Sequence, residues 1–135
     1  MSETVVAPPR AQTPFQALGG EAGVRRLVDA FYDAMEQDPA AAGVRRMHAA
    51  DLSPMRERLT DWLIGWTGGP PVYGARHPGR PCIVSAHSPF AIGAQEADQW
   101  MACMRQALQA VEAPAEWRGP LEQAFERMCQ GLRTS

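Results

Sequence analysis

The chain has 135 residues and a formal net charge of −2, with 45% hydrophobic and 21% charged residues, which fits one globular domain long enough to bury a core. Arginines alternate with Asp and Glu, leaving no basic stripe of the kind that binds nucleic acid, and no apolar run approaches the roughly 18 residues needed to cross a bilayer. The start, MSETVVAPPRAQT, lacks a charged opening followed by an apolar stretch, so no secretory leader is expected, and the scattered Cys82, Cys103 and Cys129 suit a reduced, cytoplasmic protein.

Residues 1–13 are polar and proline-bearing and read as a disordered N-terminal tail. PFQALGG (14–20) is a short helical turn stopped by two glycines. Beyond Glu21, Val24, Leu27, Val28, Phe31, Tyr32 and Met35 recur in steps of three and four, which marks one face of a helix. Asp38-Pro39 supplies a capping residue and then a proline at the first helical position, predicting a short helix that ends near Met47-His48. Ser53-Pro54 repeats that start, and Met55, Leu59, Trp62, Leu63 and Trp66 follow at helical spacing until Gly68-Gly69-Pro70-Pro71 closes the helix.

Residues 70–82 are rich in proline and glycine and read as a loop, with a short helix possible around Ile83 to His87. Gly93 precedes a helix whose stripe is Trp100, Cys103, Met104, Ala107, Leu108 and Val111. A last helix runs from about Pro114 to Leu132, with Pro120 expected to kink or split it. No strand alternation of any length occurs, so the architecture is all-α with four main helices. Cys103 and Cys129 fall among apolar positions and read as buried small hydrophobes. The acidic residues read as solvated helix faces.

Phosphate-binding glycine motifs, HExxH, zinc-spaced Cys/His clusters, GxSxG and CxxCH are all absent from the sequence. The chemistry-bearing residues are few. Of three histidines, His87 stands out, with Pro89 ending any helix just after it and Phe90 and Ile92 adding apolar surface. A lone histidine is most often a surface or hydrogen-bonded core residue, but one imidazole in an apolar helical pocket is also all that a five-coordinate haem iron asks of a protein. Tyr32 and Trp100 lie on apolar helix faces, where core packing is the plain reading. Together they also offer an O–H and an N–H to a ligand that takes on negative charge.

Four motifs, LGGEAGVRRLVDAFYDAM (18–35), GWTGGPPVY (65–73), AHSPFAIG (86–93) and EADQWMACMRQAL (96–108), in this order and spacing, resemble the group II truncated haemoglobins over about residues 14–132. The resemblance implies a truncated globin domain over 14–135, a two-over-two helical sandwich around non-covalent haem b. It makes His87, in the HxPF pattern, the proximal iron ligand. Tyr32 matches the distal tyrosine, Trp100 the tryptophan that distinguishes this group, and His48, in RRMHAADL, a position facing the distal pocket. Leu59 matches an apolar residue above the haem and Met55 a gate position that is often small, so ligand access by that route is expected to be slow. Trp62 lines the pocket, Phe90, Ile92 and Met104 pack on the haem, and Tyr73 joins the cofactor-binding set.

The sequence also departs from that pattern. The family's loop usually reads GHPRLR-x-RH, where this chain has GRPCIVSAH. The arginine that often precedes the proximal histidine and pairs with a haem propionate is Ala86 here, and Arg80 stands where the loop often has histidine. Propionate anchoring is therefore expected from elsewhere in the chain. His77 lies near the family's loop histidine and reads as surface.

The function implied is binding of O2, NO, CO or related small ligands, with oxygen transport or nitric oxide detoxification as roles and a monomer or weak homodimer as the assembly. Turnover stays open: conversion of nitric oxide to nitrate, or peroxide reduction, either of them needing a separate reductase. A haem-based sensor or ligand scavenger without turnover is the rival. A cofactor-free helical interaction module is a third reading, and it requires that Tyr32, Trp100 and His87 do not converge.

Overall fold

A computed structural model describes residues 13–80 and 92–133. Helix α1 (Pro14–Leu18) is capped by Thr13, whose hydroxyl accepts from the Gln16 N–H at 3.2 Å, so Thr13 belongs to the helix start and not to the tail. Helix α2 (Gly20–Gln37) follows after a left-handed Gly19 and buries the face expected of it, Val24, Leu27, Val28, Phe31, Tyr32 and Met35. The two helices meet so closely that a Cβ on Gly23 would lie 1.7 Å from the Leu18 carbonyl oxygen. Only glycine permits that approach.

Asp38 caps a 3-10 turn (Pro39–Ala41), accepting from the Ala40 N–H at 3.0 Å, and the turn runs into α3 (Ala42–Arg46). Helix α4 spans Ser53–Trp66, one residue earlier in register than expected: Leu52 is the cap and Ser53-Pro54 form the first turn. The Asp51 carboxylate accepts the Ser53 N–H at 3.0 Å, so the capping oxygen comes from outside the helix. Gly68, at a φ of 105°, turns the chain out of α4.

The loop expected from residue 70 contains a single helical turn, α5 (Tyr73–Arg76). It has no side-chain cap, and its fixation comes from Arg76, which bonds Asp61 on α4 at 2.8 Å and also reaches Glu21 on α2. Tertiary ion pairs, not local propensity, hold it. Helix α6 covers Ala94–Ala110 and α7 covers Ala115–Leu132. The last of these is continuous through Pro120 instead of splitting. The proline sits within the first two turns, where it removes a single ladder bond, and Gly119 before it has no Cβ to clash with the ring.

No strand occurs among the described residues. Helix α2 packs on α4 and on α6, and α6 packs on α7, so the pair α2/α4 lies across the pair α6/α7 in the expected two-over-two arrangement. Phe31, Leu63, Met101, Met104, Leu108 and Phe125 are fully buried where the layers meet. Each large apolar side chain buried this way contributes roughly 1.5–3 kcal/mol. Cys103 and Cys129 are buried as expected. No helix among the described residues is long and apolar enough to cross a membrane. The tail over 1–12, the turn around Ile83 to His87 and Cys82 lie outside the described residues.

Candidate functional site

Both helical layers open onto one cavity of about 340 Å3. Helix α4 lines it with Met55, Arg58, Leu59 and Trp62, whose spacing of three and four residues places them on one helix face. Helix α2 contributes Tyr32, α3 and the turn after it Val44, Met47, His48 and Ala49, and α5 contributes Tyr73. Ile92 and α6 supply a further wall with Glu96, Ala97 and Trp100, and α7 closes it with Cys129 and Leu132. The surface is mainly apolar, with a few polar groups converging on it, as in sites that hold a flat organic cofactor.

Of the residues singled out from sequence, Tyr32, His48, Met55, Leu59, Trp62, Tyr73, Ile92 and Trp100 meet on this cavity. Met104 is fully buried in the core and is not among the lining residues. His87, Phe90 and Ala86 lie outside the described residues.

Tyr32 and Trp100 are each 5% exposed. Neither the Tyr32 hydroxyl nor the Trp100 indole N–H makes a hydrogen bond among the described residues. The only fully enclosed, unpaired side-chain nitrogen or oxygen there is Arg118 Nε, so these two groups are not sealed in the core. Burial pushes the Tyr32 phenol well above its ordinary pKa, against the opposing pull of Arg58 and Arg56. It therefore stays a neutral O–H donor.

The ring is fixed on two sides. Phe31 packs edge-on to Tyr32 with centroids 5.0 Å apart, and the Arg56 guanidinium lies 5.7 Å from the Tyr32 centroid. Arg56 in turn bonds Asp29 and Asp33 on α2 at 3.2 and 2.8 Å, tying α4 to the helix that carries Tyr32. Trp100 is held by Phe31 at 4.8 Å and Phe125 at 6.0 Å.

His48 stands edge-on to Tyr32 with centroids 5.9 Å apart. Its Nδ1 lies 2.9 Å from the Val44 carbonyl oxygen. A carbonyl only accepts, so Nδ1 carries the hydrogen and Nε2 is the acceptor whenever the ring is neutral. Protonation would make both nitrogens donors.

Sequence reasoning missed Arg58. It lines the cavity three residues after Met55 and makes no hydrogen bond or ion pair among the described residues. Its helical register with Met55 and Trp62 was the available signal. His77, read as surface, instead pairs with Asp61 at 2.7 Å, and Asp61 is an acidic side chain buried at 6% exposure rather than solvated. The reason is long-range: α5 folds back on α4 and encloses the carboxylate.

An apolar cavity between crossed helical pairs, with a phenol and an indole N–H at its wall that are unpaired among the described residues and a guanidinium beside it, is the arrangement of a small haem-binding globin. The residues present fit that cofactor: apolar side chains for the ring faces and a cation for its carboxylates. A family model described as bacterial-like globin matches residues 13–133. The group 2 truncated hemoglobin YjbI of Bacillus subtilis (strain 168) is 32% identical over 105 residues, which is 78% of this chain and 76% of that protein.

Among solved structures, the cold-adapted truncated hemoglobin of Pseudoalteromonas haloplanktis TAC125 superposes with a TM-score of 0.85 at 35% identity, covering 92% of this chain and 99% of that one. The group II 2-on-2 hemoglobin of Agrobacterium tumefaciens gives 0.83 at 35% identity over 95% and 98% of the two chains. The truncated oxygen-avid haemoglobin of Bacillus subtilis gives 0.78 at 29% identity over 91% and 100%. The chain belongs to the bacterial-like globin family, within the group II truncated haemoglobins. Membership implies a haem cofactor and the binding of small gaseous ligands such as O2.

Proposed function

We propose that this chain binds haem b without a covalent link, through His87 as the one protein ligand to iron, and holds O2 and related diatomic ligands beneath a polar distal wall. The observation that carries the reading is a pair of donors on one apolar cavity, the Tyr32 hydroxyl and the Trp100 indole N–H, neither of which is hydrogen-bonded among the described residues. Haem, when bound, supplies the iron and its affinity for diatomic ligands. The chain's own residues do the rest. Tyr32 and Trp100 donate to the ligand from a site of low polarity, where each hydrogen bond counts for more than in water. Neutral His48 contributes an acceptor at Nε2, which suits a ligand or water that carries a proton. Met55, Leu59, Trp62, Ile92 and Phe90 exclude water from the ring faces, Tyr73 borders the ring, and Met104 backs the pocket from the core. Arg58 is the cation for a propionate, which answers the loss of an arginine at Ala86.

A distal wall this rich in polar groups exceeds what storage alone requires. It favours turnover, with nitric oxide or peroxide as substrate and a separate cytoplasmic reductase as electron donor, over a sensor, scavenger or simple carrier. The deciding test is the visible spectrum of protein produced with haem supply, ferric, reduced and CO-bound. A Soret band that moves sharply on adding CO, and that is lost with weakened haem retention in His87→Ala, is expected. Protein that takes up no haemin, or a normal spectrum in His87→Ala, overturns the reading. Steady consumption of nitric oxide or peroxide in the presence of a reductase separates turnover from binding alone.

A further inference from the structure

Helix α3 begins at Ala42, and its cap residue, Ala41, has no side chain that could bond the first turn. The N–H of Val44, in that turn, would have no partner within the helix. It is met from across the fold: Gln99 Oε1, on α6, accepts from it at 2.9 Å. The same amide lies against the Gly43 backbone, where an added Cβ would come within 2.8 Å of Oε1. The next peptide group is used as well, since the Val44 carbonyl oxygen accepts from His48 Nδ1 at 2.9 Å. One short chain of hydrogen bonds thus runs from Gln99, through both ends of residue 44, to the imidazole on the cavity wall. Gln99 is the residue before Trp100, so α6 presents Trp100 to the cavity directly and reaches the opposite wall through its neighbour.

We infer that Gln99 is a positioning residue for His48: by capping α3 across the fold it keeps the Val44 carbonyl on His48 Nδ1 and so keeps the hydrogen of the neutral ring on that nitrogen. The inference rests on the distal-pocket reading for its effect on ligand binding, but not for its effect on the imidazole. Gln99 is not among the residues lining the cavity, so it acts through its neighbours. Arg45, which bonds the carbonyls of Ala49 and Ala50 at 3.0 Å each, secures the far end of the same turn and leaves Gln99 as the tie at its beginning.

Two variants and two readouts test this on the haem-loaded protein, CO-bound for the NMR and O2-bound for the kinetics. Gln99→Leu removes the acceptor with little change in bulk, while Gln99→Glu keeps a carboxylate oxygen for the Val44 N–H. Nitrogen-15 NMR of the His48 ring should find the hydrogen on Nδ1 in the parent and in Gln99→Glu, and a mixed or reversed tautomer in Gln99→Leu, with faster exchange of the Val44 amide. O2 dissociation should shift by roughly three- to tenfold in Gln99→Leu, the size expected from losing one neutral hydrogen bond, and this shift should vanish when His48 is already Phe. An unchanged ring tautomer in Gln99→Leu overturns the inference, as does a kinetic shift that persists in the His48→Phe background. If His48→Phe alone leaves O2 dissociation untouched, the distal role of His48 fails instead, and the tautomer measurement still decides the positioning role.

Discussion

His77 Nε2 lies 2.7 Å from Oδ2 of Asp61, the one charged side chain buried in the core among the described residues. Arg76 takes the other carboxylate oxygen at 2.8 Å. Two consecutive residues therefore clamp one aspartate, and through it α5, which carries Tyr73 to the cavity, is fastened to α4. Asp61→Asn keeps the shape and removes the charge. It should destabilise the fold by about 2 kcal/mol, since hydrogen bonds to a buried charge are worth more than neutral ones. The measurement is the urea midpoint at unchanged m-value; a loss below about 0.5 kcal/mol would class the clamp with ordinary surface pairs.

Tyr32 and Trp100 offer separate hydrogens to the same space. Tyr32→Phe and Trp100→Phe should each speed O2 release by roughly three- to tenfold, and the double variant should fall short of the product if both donate to one ligand. Stopped-flow replacement of O2 by CO gives all three rates. An unchanged rate in either single variant assigns that ring to packing.

The buried thiols should be inert. Burial, with Asp38 adding to it, pushes Cys103 up to about 11, and burial with Glu126 and Asp98 does the same to Cys129, also to about 11. At pH 8 only about one thiol in a thousand would be ionised. In a Cys82→Ser background, Ellman's reagent should react slowly in the folded state and rapidly after unfolding. Fast labelling of the folded variant would mean that the layers open readily around α6 and α7.

Gly23 sets the approach of α1 to α2. The Cβ of Gly23→Ala would meet backbone at 1.7 Å, which no rotamer change relieves. A loss of roughly 3 kcal/mol or more is expected, seen as a fall in Tm of about 10 °C. A Tm equal to that of the parent would show that the α1–α2 turn adjusts without loss.

Where burial drives structure, the sequence was readable. The stripe from Val24 to Met35 and the one from Trp100 to Leu108 each fill a full face of a long helix, and hydrophobic periodicity registers such faces directly. Helix α5 was not readable, because four residues without a cap carry no period and owe their form to Arg76 and its distant partners. The same holds for the pairing of His77 with Asp61 and of Gln99 with Val44, the latter made across 55 positions of chain. Of the kink or split expected at Pro120, the split does not occur, for a local reason: a proline early in a helix and preceded by glycine does less harm than one at its centre. Tyr32 and Trp100 stood out as donors on apolar helix faces, while their roles, and His48 itself, came from family likeness. Arg58 was legible in principle from its register with Met55 and Trp62, but surface arginines are too common for one to stand out.

The aromatic packing has an optical consequence. Trp62 stacks on Trp66 at 6.0 Å, Trp66 lies 4.9 Å from Phe125, and Phe125 lies 6.0 Å from Trp100, while Trp62 and Trp100 both border the cavity. A cofactor absorbing near 400 nm in that cavity would accept excitation energy from these indoles at contact range and darken their emission. The chain thus contains its own fluorescent gauge of occupancy: emission that brightens as haem departs would time the cofactor's residence without any added label.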